Sequence, residues 1–180
     1  MLLSTSPQDS AALHGSPVKE QRFQVLVLCT GNSARSILAE ALFNEIGGTV
    51  FQAWSAGSHP AGRVNPFALE LLQQKGFDCS GFRSKSWDEF AGPDAPHMDF
   101  VVTVCGNAAA ENCPNFSGDF QKIHWGLPDP AELTADPEAA RQAFAQCFDT
   151  LKSRITALLE LPEDQLSQSA LAQQMRALAG

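Results

Sequence analysis

The stretch FQVLVLCTGNSARSILAEALFNEIG, residues 23–47, leaves a folding chain few choices. FQVLVLC is apolar and β-branched almost throughout, the pattern of a strand buried on both faces. A loop of glycine, asparagine and serine follows, and residues 33–47 then place Ile37, Leu38, Ala41, Leu42 and Phe43 on one helical face before Gly47 and Gly48 end the run. A strand that passes directly into a helix must reach its next partner by a crossover, so the sheet it belongs to is parallel.

The rest of the chain repeats this grammar. FQAWSAG at 51–57 reads as a second strand, a helix is expected from about Asn65 to Lys75, and a short one over Ser86–Phe90. DFVVTVC at 99–105 is a third continuous apolar run, and KIHW at 122–125 is strand-sized, with loop-like chain between Cys105 and His124. A long helix is expected over 137–159, apolar at Phe144, Phe148, Leu151, Ile155 and Leu158. The expected fold is α/β, a four-stranded parallel sheet with helices on both faces, beginning near Arg22 as one domain over 21–160. Residues 1–20, rich in Ser, Pro, Gln and Ala, read as a disordered arm, and 161–180 as a helical extension or a tail.

Composition narrows the function. Twelve Lys and Arg against 20 Asp and Glu give a formal charge of −8 with no long basic run, which argues against nucleic-acid binding. No apolar stretch is long enough to span a bilayer, and the N-terminus lacks the features of a secretory signal, so the expected compartment is cytoplasmic. The 5 cysteines, at 29, 79, 105, 113 and 147, form no C-x-x-C pair or Cys/His cluster of zinc-site spacing, and no metal is expected. Thiol chemistry at particular cysteines is the better reading. Cys79 and Cys147 read as ordinary buried thiols.

In an open parallel sheet, ligands bind beyond the carboxyl ends of the strands, where CTGNSARS lies. Gly31 is expected to permit a tight turn there. Backbone amides from Thr30 through Arg35, including those of Asn32, Ser33 and Ala34, can then face inward as a cradle for a tetrahedral oxyanion, with the positive end of the helix behind them. Arg35 can bind two oxygens through its planar fork. The same field favours a thiolate at Cys29, while Ser33 and Ser36 could support the sulfur or the loop and Asn32 could hold the turn. In-line attack on an oxyanion also needs an acid opposite the nucleophile, and Asp129, held between Pro128 and Pro130, is the candidate. Glu132, Asp136 and Glu138 read as solvated surface, His124 and Trp125 as packing beneath the loop, and His59 and His97 as structural or exposed.

CGNAAAENCP, 105–114, places two more cysteines after a strand, and paired thiols near the first would allow successive thiol–disulfide exchange. Cys105 and Cys113 are separated by 7 residues, which would have to loop or unwind before the two could bond.

CTGNSARS, SAG at 55–57, VNPFALE at 64–70, VVTVCGNAAAENCP and HWGLPDPA occur in the order that resembles the cytoplasmic arsenate reductases built on the low-molecular-weight tyrosine phosphatase fold. The resemblance spans roughly residues 23–160 and implies attack of Cys29 on arsenate, oxygen binding by Arg35 and protonation of the departing hydroxide by Asp129. It further implies that Cys105 attacks the Cys29 adduct and releases arsenite, that Cys113 resolves the resulting disulfide, and that an external thiol system, thioredoxin or glutathione with glutaredoxin, restores the dithiol. No bound cofactor is implied, phosphate is a competing ligand, and a monomer or weak dimer is expected. Thioredoxin-linked members of that family commonly read CTGNSCRS where this chain has Ala34, and they space the later cysteines one residue closer.

Two other readings follow from the same residues. A phosphatase acting on phosphotyrosine or a small phosphate ester would use the same loop and acid, although DPA stands here where such enzymes usually have DPY and the chain has 0 tyrosines. A noncatalytic oxyanion or redox sensor would use the thiol-bearing loop to change conformation and bind a partner.

Overall fold

A computed structural model describes residues 22–111, 113–133 and 135–179. The expected arm over residues 1–20 lies outside the described residues. Strands β1 (Phe23–Cys29), β2 (Phe51–Gly57), β3 (Phe100–Thr103) and β4 (Gln121–His124) form one parallel sheet in the order β2-β1-β3-β4. Among the described residues five α-helices accompany them: α1 (Arg35–Gly47), α2 (Pro66–Gln74), α3 (Gly106–Ala110), α4 (Pro137–Leu159) and α5 (Gln168–Leu178). Single 3-10 turns occur at Trp87–Phe90, Pro130–Leu133 and Glu163–Gln165.

β1 is one of the two inner strands, and its Val25–Leu28 core has no solvent-exposed surface, as a strand flanked and covered on both sides requires. Alternation along β2 shows the two coverings. Phe51 meets Phe43 of α1 edge-on at 5.1 Å, whereas Trp54, three residues on and therefore on the opposite face, meets Phe90 of the 3-10 turn at 6.3 Å. α1 is wedged between the sheet and α4, so residues all round it are buried, including Ser36 and Ala39 outside the expected apolar face.

The long helix occupies the expected 137–159, and all five expected apolar positions are buried. Its start is set by Pro137 and by Asp136, whose carboxylate accepts from Ala139 N at 3.3 Å. Asp136 is therefore a helix cap rather than merely solvated surface. The third strand is shorter than the expected 99–105, although Val104 N still donates to Leu28 O at 3.0 Å. Part of the expected loop after it folds as α3, with Cys105 at its N-cap. Residues 168–178 form an amphipathic helix that buries Leu171, Ala172 and Met175 against the body. The fully buried Trp125 locks it there: its Nε1 donates to Met175 O at 2.8 Å and its ring stacks on Phe43. No helix among the described residues is long and apolar enough to cross a membrane.

The register carries this fold to its chemistry. Cys29 pairs with Gly57, and Leu28 with Thr103, which in turn pairs with His124. The segments beginning at Cys29, Cys105 and Trp125 thus leave the sheet at one edge, the carboxyl ends of parallel strands.

Candidate active site

The turn after β1 is built on Asn32, not on glycine freedom at Gly31. Asn32 has φ 47, a left-handed conformation tolerated by asparagine, and no exposed surface. Its Nδ2 donates to Ser36 Oγ at 2.8 Å and to Ser55 Oγ at 2.9 Å, while its Oδ1 accepts from Lys85 N at 2.9 Å. These three bonds hold the strained turn from beneath. Ser36 therefore supports the loop through Asn32 rather than through the Cys29 sulfur. Gly57 is required beside it: a Cβ there would lie 2.4 Å from Thr30 O, so the final residue of SAG makes room for the loop backbone.

Beneath Ser55 lies a buried ionic pair that the sequence reading did not single out. Ser55 Oγ donates to Glu40 Oε1, and Lys85 Nζ stands 3.8 Å from the same oxygen while donating to Arg83 O at 3.2 Å. Burial raises Glu40 above the usual carboxylate range and lowers Lys85 below the usual ammonium range. One signal was present: Glu40 follows Ser36 by one helical turn within an otherwise apolar stretch, so both share a buried face.

Above the loop, α1 starts without a side-chain cap at Ala34, whereas α2, α3, α4 and α5 are capped by Asn65, Cys105, Asp136 and Ser167. Its first amides are thus left for an anion, at the positive end of the helix. A cavity of about 510 Å³ opens there, lined by Cys29, Thr30, Gly31, Ser33, Ala34, Arg35, Cys105 and Asp129, together with Gly106, Asn107, Pro128, Ala131 and Glu132. Asn32 and Ser36 lie below its floor. Arg35 reaches across to the acid loop: one terminal nitrogen donates to Leu127 O at 2.8 Å and the other stands 3.6 Å from Asp129 Oδ2. Its buried Nε has no partner among the described residues, a donor that an oxyanion would satisfy. Asp129 is 34% exposed, against 12% for Arg35, and its other oxygen accepts from Ala131 N at 3.0 Å.

Cys29 and Cys105 are buried hydrogen-bonding neighbours. That bond to Cys29 is the main cause that lowers Cys105 to about 5, helped by the Thr30 hydroxyl at 3.4 Å and Ala108 N at 3.4 Å. The same bond, with burial, raises Cys29 far above the usual thiol range, although Arg35 and the Thr30 backbone pull it down. The two sulfurs share one proton, so the acidic ionisation belongs to the pair.

The structure does not bring Cys113 to this cavity. Its Sγ lies 3.9 Å from Lys122 Nζ, on the far side of α3 from the position of Cys105 at that helix's N-cap. Cys147 is buried as expected, with its thiol pushed up to about 12 by burial, whereas Cys79 is half-buried rather than the buried thiol expected, and what burial it has raises it.

An uncapped helix behind a strand-end thiol, with an arginine bridging to an aspartate, defines a class of cysteine-based oxyanion enzymes. The family model described as low molecular weight phosphotyrosine protein phosphatase matches residues 24–174, and the chain belongs to that family. Within it, the chain is similar to proteins named for another reaction. The arsenate reductase of Halalkalibacterium halodurans is 35% identical over 136 residues, covering 76% of this chain and 94% of that protein. The solved arsenate reductase of Archaeoglobus fulgidus superposes with a TM-score of 0.55 at 30% identity, over 73% of this chain and 98% of that one. The thioredoxin-dependent arsenate reductase of Corynebacterium glutamicum gives 0.56 at 25% identity, over 77% and 61%.

Proposed function

We propose that the protein reduces arsenate to arsenite at the Cys29 loop, with Cys105 as the second thiol and an external thiol as the source of electrons. The observation that carries this reading is that Cys105, a second buried thiol, lines the same oxyanion cavity as Cys29. Ester hydrolysis needs one nucleophilic thiol. A second thiol in contact with the first is what two-electron reduction requires.

In this mechanism the loop amides and Arg35 hold arsenate, and Cys29 passes its proton to Cys105 as it attacks arsenic. An S–As bond forms and an As–O bond breaks, with Asp129 donating the proton that carries the oxygen away as water. Cys105 releases that proton to solvent and, as thiolate, then attacks Cys29 Sγ. The S–S bond forms, the S–As bond breaks, and its electron pair stays on arsenic, which leaves as trivalent arsenite. Cys113 attacks Cys105 Sγ and expels Cys29 as thiolate, and an external thiol then reduces the Cys105–Cys113 disulfide. The Corynebacterium relative, named as thioredoxin-dependent, favours thioredoxin as that reductant, while glutathione with glutaredoxin would need only some of the three cysteines.

The test is arsenite release from excess arsenate by the reduced protein, supplied in parallel with a thioredoxin system and with glutathione plus glutaredoxin. Sustained turnover with either, lost in Cys29→Ser, is the expected result. Hydrolysis of an aryl phosphate with no arsenite from either system would overturn the reading in favour of a phosphatase. Release that stops at one equivalent despite reductant would favour a sensor.

A further inference from the structure

Glu111 closes α3, the short helix that begins at Cys105 and separates it from Cys113. Its carboxylate is engaged by Ser58 and His59. One oxygen accepts from Ser58 Oγ at 2.8 Å, and the other lies 3.7 Å from His59 Nδ1. Ser58 and His59 belong to the segment after β2, which is clamped to the anion loop: His59 N donates to Thr30 O and Ala61 N to Gly31 O, each at 2.9 Å. One side chain therefore ties the end of the Cys105 helix to the loop that carries Cys29. The Ser58 bond is the stronger half of the tie, since Glu111 is 27% exposed and His59 77%. The helix spans only 5 residues, closed by backbone bonds from Ala109 N to Cys105 O and from Glu111 N to Asn107 O at 3.2 and 3.1 Å and by Ala108 N donating to the Cys105 sulfur at 3.4 Å.

We propose that Glu111 is a positioning residue, a latch that keeps Cys105 seated on Cys29 and must release before Cys113 can reach Cys105. The inference rests on the three-cysteine relay proposed above. A disulfide needs Cα atoms about 4.4–6.8 Å apart, and the turns of α3 stand between these two cysteines. In the step concerned, the Cys113 thiolate attacks Cys105 Sγ of the Cys29–Cys105 disulfide, having lost its proton to solvent. The Cys105–Cys113 bond forms, the Cys29–Cys105 bond breaks, and Cys29 leaves with the electron pair. The latch favours the step before this exchange and opposes the exchange itself, so removing it acts in opposite directions on the two.

The experiment is single-turnover quench flow on the full chain with arsenate and no external reductant. Arsenite is measured in one aliquot, and the Cys105–Cys113 disulfide by alkylation and peptide mapping in another. In Glu111→Ala, and in Ser58→Ala as a second route to the same break, disulfide formation is expected to accelerate about tenfold, the value of one charge-assisted hydrogen bond. Arsenite release is expected to slow in both. Glu111→Gln, which can still accept from Ser58, should stay near wild type. Slowing of both steps together in the two alanine variants, or an unchanged disulfide rate, would overturn the latch while leaving the relay intact. A wild type that never forms the Cys105–Cys113 disulfide would overturn the relay, and the latch with it.

Discussion

Replacing Lys85 with methionine tests whether the floor of the anion loop depends on its buried ion pair. Lys85 and Glu40 side chains are 6% and 13% exposed, and their charged atoms stand 3.8 Å apart. At that separation, with an effective dielectric of about 20, their attraction is about 4 kcal/mol. Methionine keeps the volume of the stem but leaves Glu40 with Ser55 as its hydrogen-bond donor and no cation in contact. Breaking a buried pair from one side typically costs about 3–5 kcal/mol, a large part of the roughly 5–15 kcal/mol that holds a domain together. With an m-value of about 2 kcal/mol per molar, the urea midpoint of Lys85→Met should fall by about 2 M near neutral pH. Glu40, already raised by burial, rises further without its cation. Between its unfolded value of about 4.3 and the raised folded value, the folded state then binds more protons than the unfolded one, so stability falls as pH rises through that window. The deficit should therefore shrink as pH drops toward about 4, where Glu40 is protonated in both states. Adding Glu40→Gln should restore much of the midpoint. An unchanged midpoint in the single variant, or a double variant no better than the single, would refute the argument that the pair is mutually dependent.

Thiolate absorbance at 240 nm in the reduced protein should show one thiol ionising near pH 5, assigned to Cys105, and should move upward in Cys29→Ser, which removes its main hydrogen-bond partner. Because Cys105 is depressed, the stability it contributes is present above its unfolded value and lost as pH falls through about 5; acid midpoints that ignore Cys105→Ala would contradict this. Asp129→Asn should lower kcat by about 10²–10³ with little change in KM for arsenate, and an unaltered kcat would remove Asp129 as the acid. Ending the chain after Leu161 removes the burial of Leu171 and Met175 and the Trp125 bond to Met175 O, so stability should drop by about 4 kcal/mol and Trp125 emission should shift to the red. A truncated chain with an unchanged melting curve would mean that α5 contributes nothing to the body.

What the sequence disclosed was mostly local. β1 and α1 were legible because an apolar run, a turn and a helical period lie side by side, and α4 because its five apolar positions repeat at helical spacing. The strand-end thiol, Arg35 and Asp129 were legible for the same reason: residue type and neighbours suffice to suggest them, and parallel topology then brings their segments to one edge. The parts that could not be read depend on partners far along the chain. Nothing near Asn32 announces that Ser55 and Lys85 will satisfy its amide, so the positive φ could be assigned to Gly31 on equal grounds. Residues 106–110 carry little periodic signal, and their helix depends on the Cys105 sulfur accepting from Ala108 N. Residues 168–178 have the pattern of a surface helix, but the surface that orders them, the buried Trp125 with β4 and α4, comes from far along the chain.

The placement of the charge in the thiol pair bears on how the proposed reaction could be ordered in time. A thiolate fixed on Cys29 would meet an incoming arsenate with like charge at the point of attack. With the charge shared toward Cys105, the attacking sulfur carries less of it as the anion docks, and Arg35 with the uncapped start of α1 faces it first. The hydrogen bond between the sulfurs then offers the route by which Cys29 loses its proton at the moment of attack. Once Cys29 is bound to arsenic it can no longer donate to Cys105, so the second thiol must be kept acidic by other means. The Thr30 hydroxyl and Ala108 N do that, and neither depends on the state of Cys29. A single shared proton can thus arm two nucleophiles in succession, provided that Cys105 stays seated until the first sulfur has reacted. That condition is why the tether at Glu111 belongs with the chemistry, although it touches neither sulfur.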